Sequence, residues 1–143
     1  MIQKLLVTFC IALYAVGVPV LEINDTHVFN PDWTPHVRIH EVWQLLSNSM
    51  LGVLCLWWLW IEQKLVRSAI VSLIVTGGFL LAFMIKDFYG GSMKYLDGSE
   101  KTVFDINIGV VGFGLAVLLL GVAIALEVRQ QGRNAKQSVA QTV

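Results

Sequence analysis

Every histidine in the chain falls within one stretch, "HVFNPDWTPHVRIHE", running from His27 to Glu41. His27, His36 and His40, with Asp25, Asp32 and Glu41 beside them, form a ligand set suited to zinc, copper or iron. His36 and His40 are four residues apart, so a helix would place them one turn apart on one face, as a pair gripping one ion. The order is not HExxH, because Glu41 follows the second histidine. The same residues suit proton transfer, which needs a titratable histidine and a carboxylate facing a small lipid-soluble substrate. His36 or His40, with Asp87 or Asp105 from elsewhere in the chain, would supply that pair. A third reading is purely structural. Asn30-Pro31 makes a turn, Trp33 anchors at a membrane surface, and the histidines satisfy loop carbonyls.

The elements that carry these groups are set by the solvent. The 143 residues are 56% hydrophobic and only 14% charged, with a mean hydropathy of +0.68. A soluble domain carries about 25% charged residues. The charges are also segregated, leaving four windows with none: Leu5–Leu21, Val42–Ile61, Ser68–Ile85 and Ile106–Leu126. Each approximates the ~20 residues that a helix needs to cross a ~30 Å hydrocarbon core. Lipid offers no partners to exposed backbone groups, so such windows are expected to be helices. The sequence therefore predicts an all-α, four-helix integral membrane bundle over residues 1–128, followed by a polar tail over 129–143. The first window also has features of a secretory signal: Lys4, an apolar run, then small residues near Ala15 and Gly17. Its length, and Pro19 and Glu22 at its end, favour a transmembrane helix. Cys10 and Cys55 lie inside windows, where they read as small hydrophobes.

Charge placement predicts the orientation. One side holds Lys4, Lys64, Arg67, Arg129, Arg133 and Lys136 against Glu62 and Glu127, a net +4. The other holds Arg38, Lys86, Lys94 and Lys101 against eight acids, a net −4. Positive loops stay cytoplasmic, which puts both termini inside and the histidines outside, as in a bacterial inner-membrane protein. The neutral total gives no reason to expect a nucleic-acid partner, and the Gln-rich tail reads as a disordered end.

Within the bundle, Thr34-Pro35 is a strong helix start, since Thr caps and Pro suits the first turn. A polar stripe then runs through His36, His40, Gln44, Ser47 and Asn48. Polar groups in lipid are costly unless they face inward, so the stripe is expected to line an outward-opening pocket, with Trp33 at its rim and Asp87 and Asp105 nearby. Asp105 would open the fourth helix at the depth of His40. Trp57, Trp58 and Trp60 fit the cytoplasmic interface belt. Ser68, Ser72 and Thr76, with Gly77, Gly78, Gly109, Gly112 and Gly114, are expected at close helix contacts. The connection from Phe88 to Phe104 suits either a solvated loop or a lid over the outer mouth.

The pattern His27-x-Phe29-Asn30-Pro31-x-Trp33-x-Pro35-His36-x-Arg38-x-His40 resembles one found in small four-helix membrane proteins. More loosely, the layout is similar to DoxX-like proteins and to the emopamil-binding, sterol-isomerase-like group. The latter resemblance implies a histidine and an acidic residue on an early membrane helix that shift a double bond. His36 and His40 would take that place, although the residue one turn after His36 is a histidine here, not an acid. The expected function is handling of a small hydrophobic or lipid-like molecule in the bilayer, by acid–base chemistry at His36, His40, Asp87 and Asp105. The alternative is a non-catalytic accessory protein that binds a divalent metal through His27, His36 and His40.

Overall fold

A computed structural model of the chain describes residues 1–95 and 97–141, the last three of them as backbone only. Among the described residues the chain is all-α apart from one small hairpin. Helix α1 spans Ile2–Glu22, α2 Pro35–Trp60, α3 Leu65–Met84 and α4 Ile108–Gln141. All four are long and apolar enough to cross a membrane. Strands β1 (Thr102–Val103) and β2 (Ile106–Asn107) pair antiparallel just before α4. Both turn residues, Phe104 and Asp105, have positive φ, 53° and 61°. That is the backbone of a tight two-residue hairpin turn. Asp105 therefore sits exposed in the turn, and Asn107 takes the helix-opening role instead. Its Oδ1 accepts from the N–H groups of Gly109 (2.8 Å) and Val110 (3.4 Å). Thr34 caps α2 as expected, its hydroxyl accepting from Val37 N–H at 3.4 Å.

The helices meet around Val7, Cys10, Ile11 and Tyr14 of α1, Cys55 and Leu59 of α2, Leu65 and Ala69 of α3, and Ala116, Leu120 and Ala123 of α4. The first apolar window is thus a full member of the bundle. Both cysteines are free and buried. Ser68, Ser72 and Thr76 are fully buried along α3. Ser72 and Thr76 return their protons to carbonyls one turn back, and Ser68 reaches across to the Cys55 carbonyl at 2.9 Å. The glycines behave differently from expectation. Gly77, Gly78 and Gly114 face open space, and only Gly109 is tightly packed, against Phe79. The closest helix approach falls at Gly52 instead, where an added Cβ would lie 2.3 Å from Ala15 Cβ.

Opposite Gly52, α1 makes a π turn over Leu13–Gly17. Pro19 lacks the N–H that a regular helix would direct to the Ala15 carbonyl, and its ring crowds that carbonyl. Ser49 of α2 takes over as donor, its Oγ 2.8 Å from Ala15 O. At the basic end, Trp60 donates to Thr8 Oγ1 (3.0 Å) and Trp57 to Glu62 (3.1 Å), while Lys4 and Arg67 lie over the Trp60 and Trp58 rings. Beyond Arg129 the chain continues α4 to Gln141 rather than forming an irregular tail. Val128 to Gln141 is rich in Arg, Gln, Lys and Ala, all good helix formers. Thr142 and Val143 lie outside the described residues.

Candidate functional site

Two connections meet at the histidine end of the bundle, residues 23–34 and 85–107. The first is folded through its own polar side chains. Asn24 Oδ1 accepts from the Thr26 N–H and hydroxyl, both at 2.7 Å. Asn30, only 5% exposed, donates from Nδ2 to the Thr26 carbonyl and accepts from Asp32 N–H on Oδ1. The Asn30 carbonyl accepts from Arg38 Nη2 at 2.7 Å, which staples the loop to the first turn of α2. Val28 is buried beneath.

His27 is held inside this cap. Its Nε2 lies 2.8 Å from Glu22 Oε2 at the end of α1, and its Nδ1 lies 2.8 Å from Thr26 Oγ1. Trp33 and Tyr95 pack edge-to-face on the ring, with centroids 5.8 and 6.1 Å away. Tyr95 comes from the second connection and carries Lys101 over its own face. Glu41, partly buried on the bundle-facing side of α2, is near enough to act on His27 electrostatically. Burial holds the imidazole below its ordinary value of 6.5; Glu41 pushes it up and Lys101 pushes it down. The His27 and Glu22 side chains remain 27% and 26% exposed, so the pair is sheltered but reachable.

The hydrogen positions follow from counting protons. The Thr26 hydroxyl carries one proton and faces two acceptors, Asn24 Oδ1 and His27 Nδ1. When it serves His27, a neutral ring donates from Nε2 to a Glu22 carboxylate. When it serves Asn24, His27 Nδ1 is the donor. The short Nε2–Glu22 contact then needs another proton, resting on the ring or on the carboxyl. A rotation of one hydroxyl is thus linked to the uptake or release of one proton at a 2.8 Å contact.

The residues singled out from sequence lie elsewhere. His36 and His40 do meet each other, with Nε2 atoms 3.2 Å apart and rings edge-to-face at 4.6 Å. Both are exposed, as is Gln44, while Asn48 and Ser47 are partly buried. The inward face of α2 runs through Glu41, Leu45, Ser49, Gly52, Cys55 and Leu59, about 100° around the helix from His40. The inward pocket expected from His36, His40 and Gln44 is therefore not formed by them. Trp33 joins His27 instead of this pair. Asp87 is exposed and pairs with its neighbour Lys86 at 3.2 Å. Asp105 is exposed in the hairpin turn, with no ion pair to histidine among the described residues. Also among the described residues, no three His, Cys, Asp or Glu side chains converge as metal ligands, so His27 does not complete a site with His36 and His40.

A small cavity of about 150 Å³ opens at the same end, walled by Phe79, Ala82 and Phe83 of α3 and by Tyr89 and Met93 of the second connection, with Lys86 at its edge. Tyr89 ties the connection down by donating to the Ala82 carbonyl at 2.9 Å. Glu22 was visible in sequence as an acid closing an apolar window five residues before a histidine. Tyr95 and Lys101 carried no comparable signal, because they reach His27 only through the fold. No protein-family model matches the chain, and no curated protein or solved structure is detectably similar to it.

Proposed function

We propose that the chain is a multi-pass protein of a bacterial inner membrane, with both termini cytoplasmic, whose outward end handles a small hydrophobic or lipid-like molecule by acid–base chemistry. His27 and Glu22 take the roles that the sequence offered to His40 and Asp105. The observation that carries this reading is the 2.8 Å His27–Glu22 contact, partly exposed and backed by Thr26 and Glu41. A proton held between an imidazole and a carboxyl is available to a substrate entering from the bilayer surface. The aromatic cavity beside Tyr89 offers an apolar body a place at the same end. The test is untargeted lipid profiling of membranes from cells carrying wild type, His27→Gln or Glu22→Gln. The expected result is one hydrophobic species accumulating in both variants while a product-related species, such as a double-bond isomer, declines. Indistinguishable profiles would remove the catalytic reading.

A second reading, an accessory metal-binding protein, is favoured by the His36–His40 geometry. Zinc–imidazole bonds of about 2.0–2.1 Å at a tetrahedral centre separate two nitrogens by about 3.3 Å. The observed 3.2 Å between the Nε2 atoms suits two corners of such an ion. Metal analysis of detergent-purified protein discriminates the readings. Stoichiometric metal lost in both His36→Ala and His40→Ala supports the accessory role.

A further inference from the structure

The opposite, basic end carries a cavity that the acid–base reading does not use. It measures about 350 Å³ and lies between the α2–α3 turn, the start of α3 and the flank of α4. Gln63, Lys64 and Arg67 supply its polar wall, and Leu65, Val66 and Val128 its apolar one. Neither Lys64 nor Arg67 makes an ion pair among the described residues. Two acids border the site on hydrogen bonds from neutral donors: Glu62 accepts from Trp57 Nε1, and Glu127 accepts from Gln131, which itself lines the cavity. The turn is held in a demanding shape. Gln63 has a φ of 58°, in the left-handed region, and is fixed by contacts with Lys4 and the Trp60 carbonyl. Left-handed backbone in a non-glycine residue persists only where its surroundings enforce it. The cavity-lining turn follows directly on Trp57, Trp58 and Trp60 in the chain, Arg67 lies over the Trp58 ring, and tryptophan suits the membrane–water boundary.

We propose that this cavity seats the phosphate of an anionic phospholipid, with Lys64 and Arg67 on the headgroup and Leu65, Val66 and Val128 against the start of the acyl chains. Two cations that make no ion pair among the described residues, one of them resting on the Trp58 ring, stand beside an apolar wall and match an amphiphile with a charged head better than a free anion, which would leave the apolar wall bare. The site stands at the other end of the helices from His27, so either proposal can fail without the other.

The experiment places the full chain in nanodiscs of equal phosphatidylglycerol and phosphatidylcholine, then identifies retained lipid by native mass spectrometry. A cation near a membrane surface contributes about 1 kcal/mol towards an anionic lipid, or about 5-fold, so two give about 25-fold preference for phosphatidylglycerol. Lys64→Gln and Arg67→Gln should each lower that preference about 5-fold. Lys64→Arg and Arg67→Lys should retain most of it, which separates charge from folding. Neutralising Arg133 and Lys136, which lie at the same end of α4 but do not line the cavity, should leave it largely unchanged. The proposal is overturned if those changes cost as much, which would mean a diffuse basic surface. Equal retention of phosphatidylcholine also overturns it. So does displacement of the lipid by inorganic phosphate, which would make the site one for a free anion.

Discussion

Ser49 tests the join between α1 and α2 most directly. Pro19 deprives the Ala15 carbonyl of its regular helical donor, and Ser49 Oγ replaces that donor at 2.8 Å. In Ser49→Ala the carbonyl stays in place, held towards α2 by the Gly52–Ala15 contact, but has lost its hydroxyl partner. Hydrogen bonds between membrane helices average about 0.6 kcal/mol and reach about 1.7 kcal/mol. This one belongs near the upper figure, because proline forbids the backbone from substituting: about 1.5 kcal/mol, or roughly tenfold in the unfolding constant. In a Pro19→Ala background residue 19 regains its N–H, and the Ser49→Ala cost should fall below about 0.5 kcal/mol. Equilibrium unfolding in mixed micelles, followed by far-ultraviolet circular dichroism, gives all four corners of the cycle. Costs in the two backgrounds that agree within about 0.3 kcal/mol would refute the compensation argument.

The glycines give a contrast in sign. Gly52→Ala should destabilise by about 1–3 kcal/mol in the same assay, since its Cβ meets Ala15 Cβ, which cannot rotate away. Gly77→Ala meets nothing and should be neutral or stabilising by about 0.5 kcal/mol. For His27, burial favours the neutral ring, whereas an opened loop takes up its proton at 6.5. The stability this confers on the cap is present above 6.5 and is lost as pH falls through the lowered native value. Protection from hydrogen exchange over residues 24–33, measured against the intrinsic rate at each pH, should therefore fall between about pH 7.5 and about pH 5, and His27→Gln should flatten the response. Equal protection of the wild type at both pH values would contradict the burial argument. Finally, a reporter active only in the periplasm, fused after Val143, should be silent; activity would invert the proposed orientation.

The four helices were legible because a charge-free run of the right length has few other structures open to it in lipid. Thr34-Pro35 marked the start of α2 for equally local reasons: one side chain accepts from Val37, and one ring presets the backbone. The meeting of His36 with His40 followed from helical spacing alone. Spacing, however, says only which residues share a face, not which face turns inward. That choice was made by packing between helices, where Gly52 lets α2 approach Ala15 and so fixes its rotation. Once that rotation is set, Glu41 faces the bundle and His36, His40 and Gln44 are turned out. The site then moves to His27, because only the folded connections bring Glu22 and Tyr95 to its ring from positions five residues before it and 68 residues after it. Chain composition placed the polar groups at the two ends of the four apolar helices, the histidines all at one of them; the contact between two small residues, Gly52 and Ala15, decided which α2 residues face the bundle.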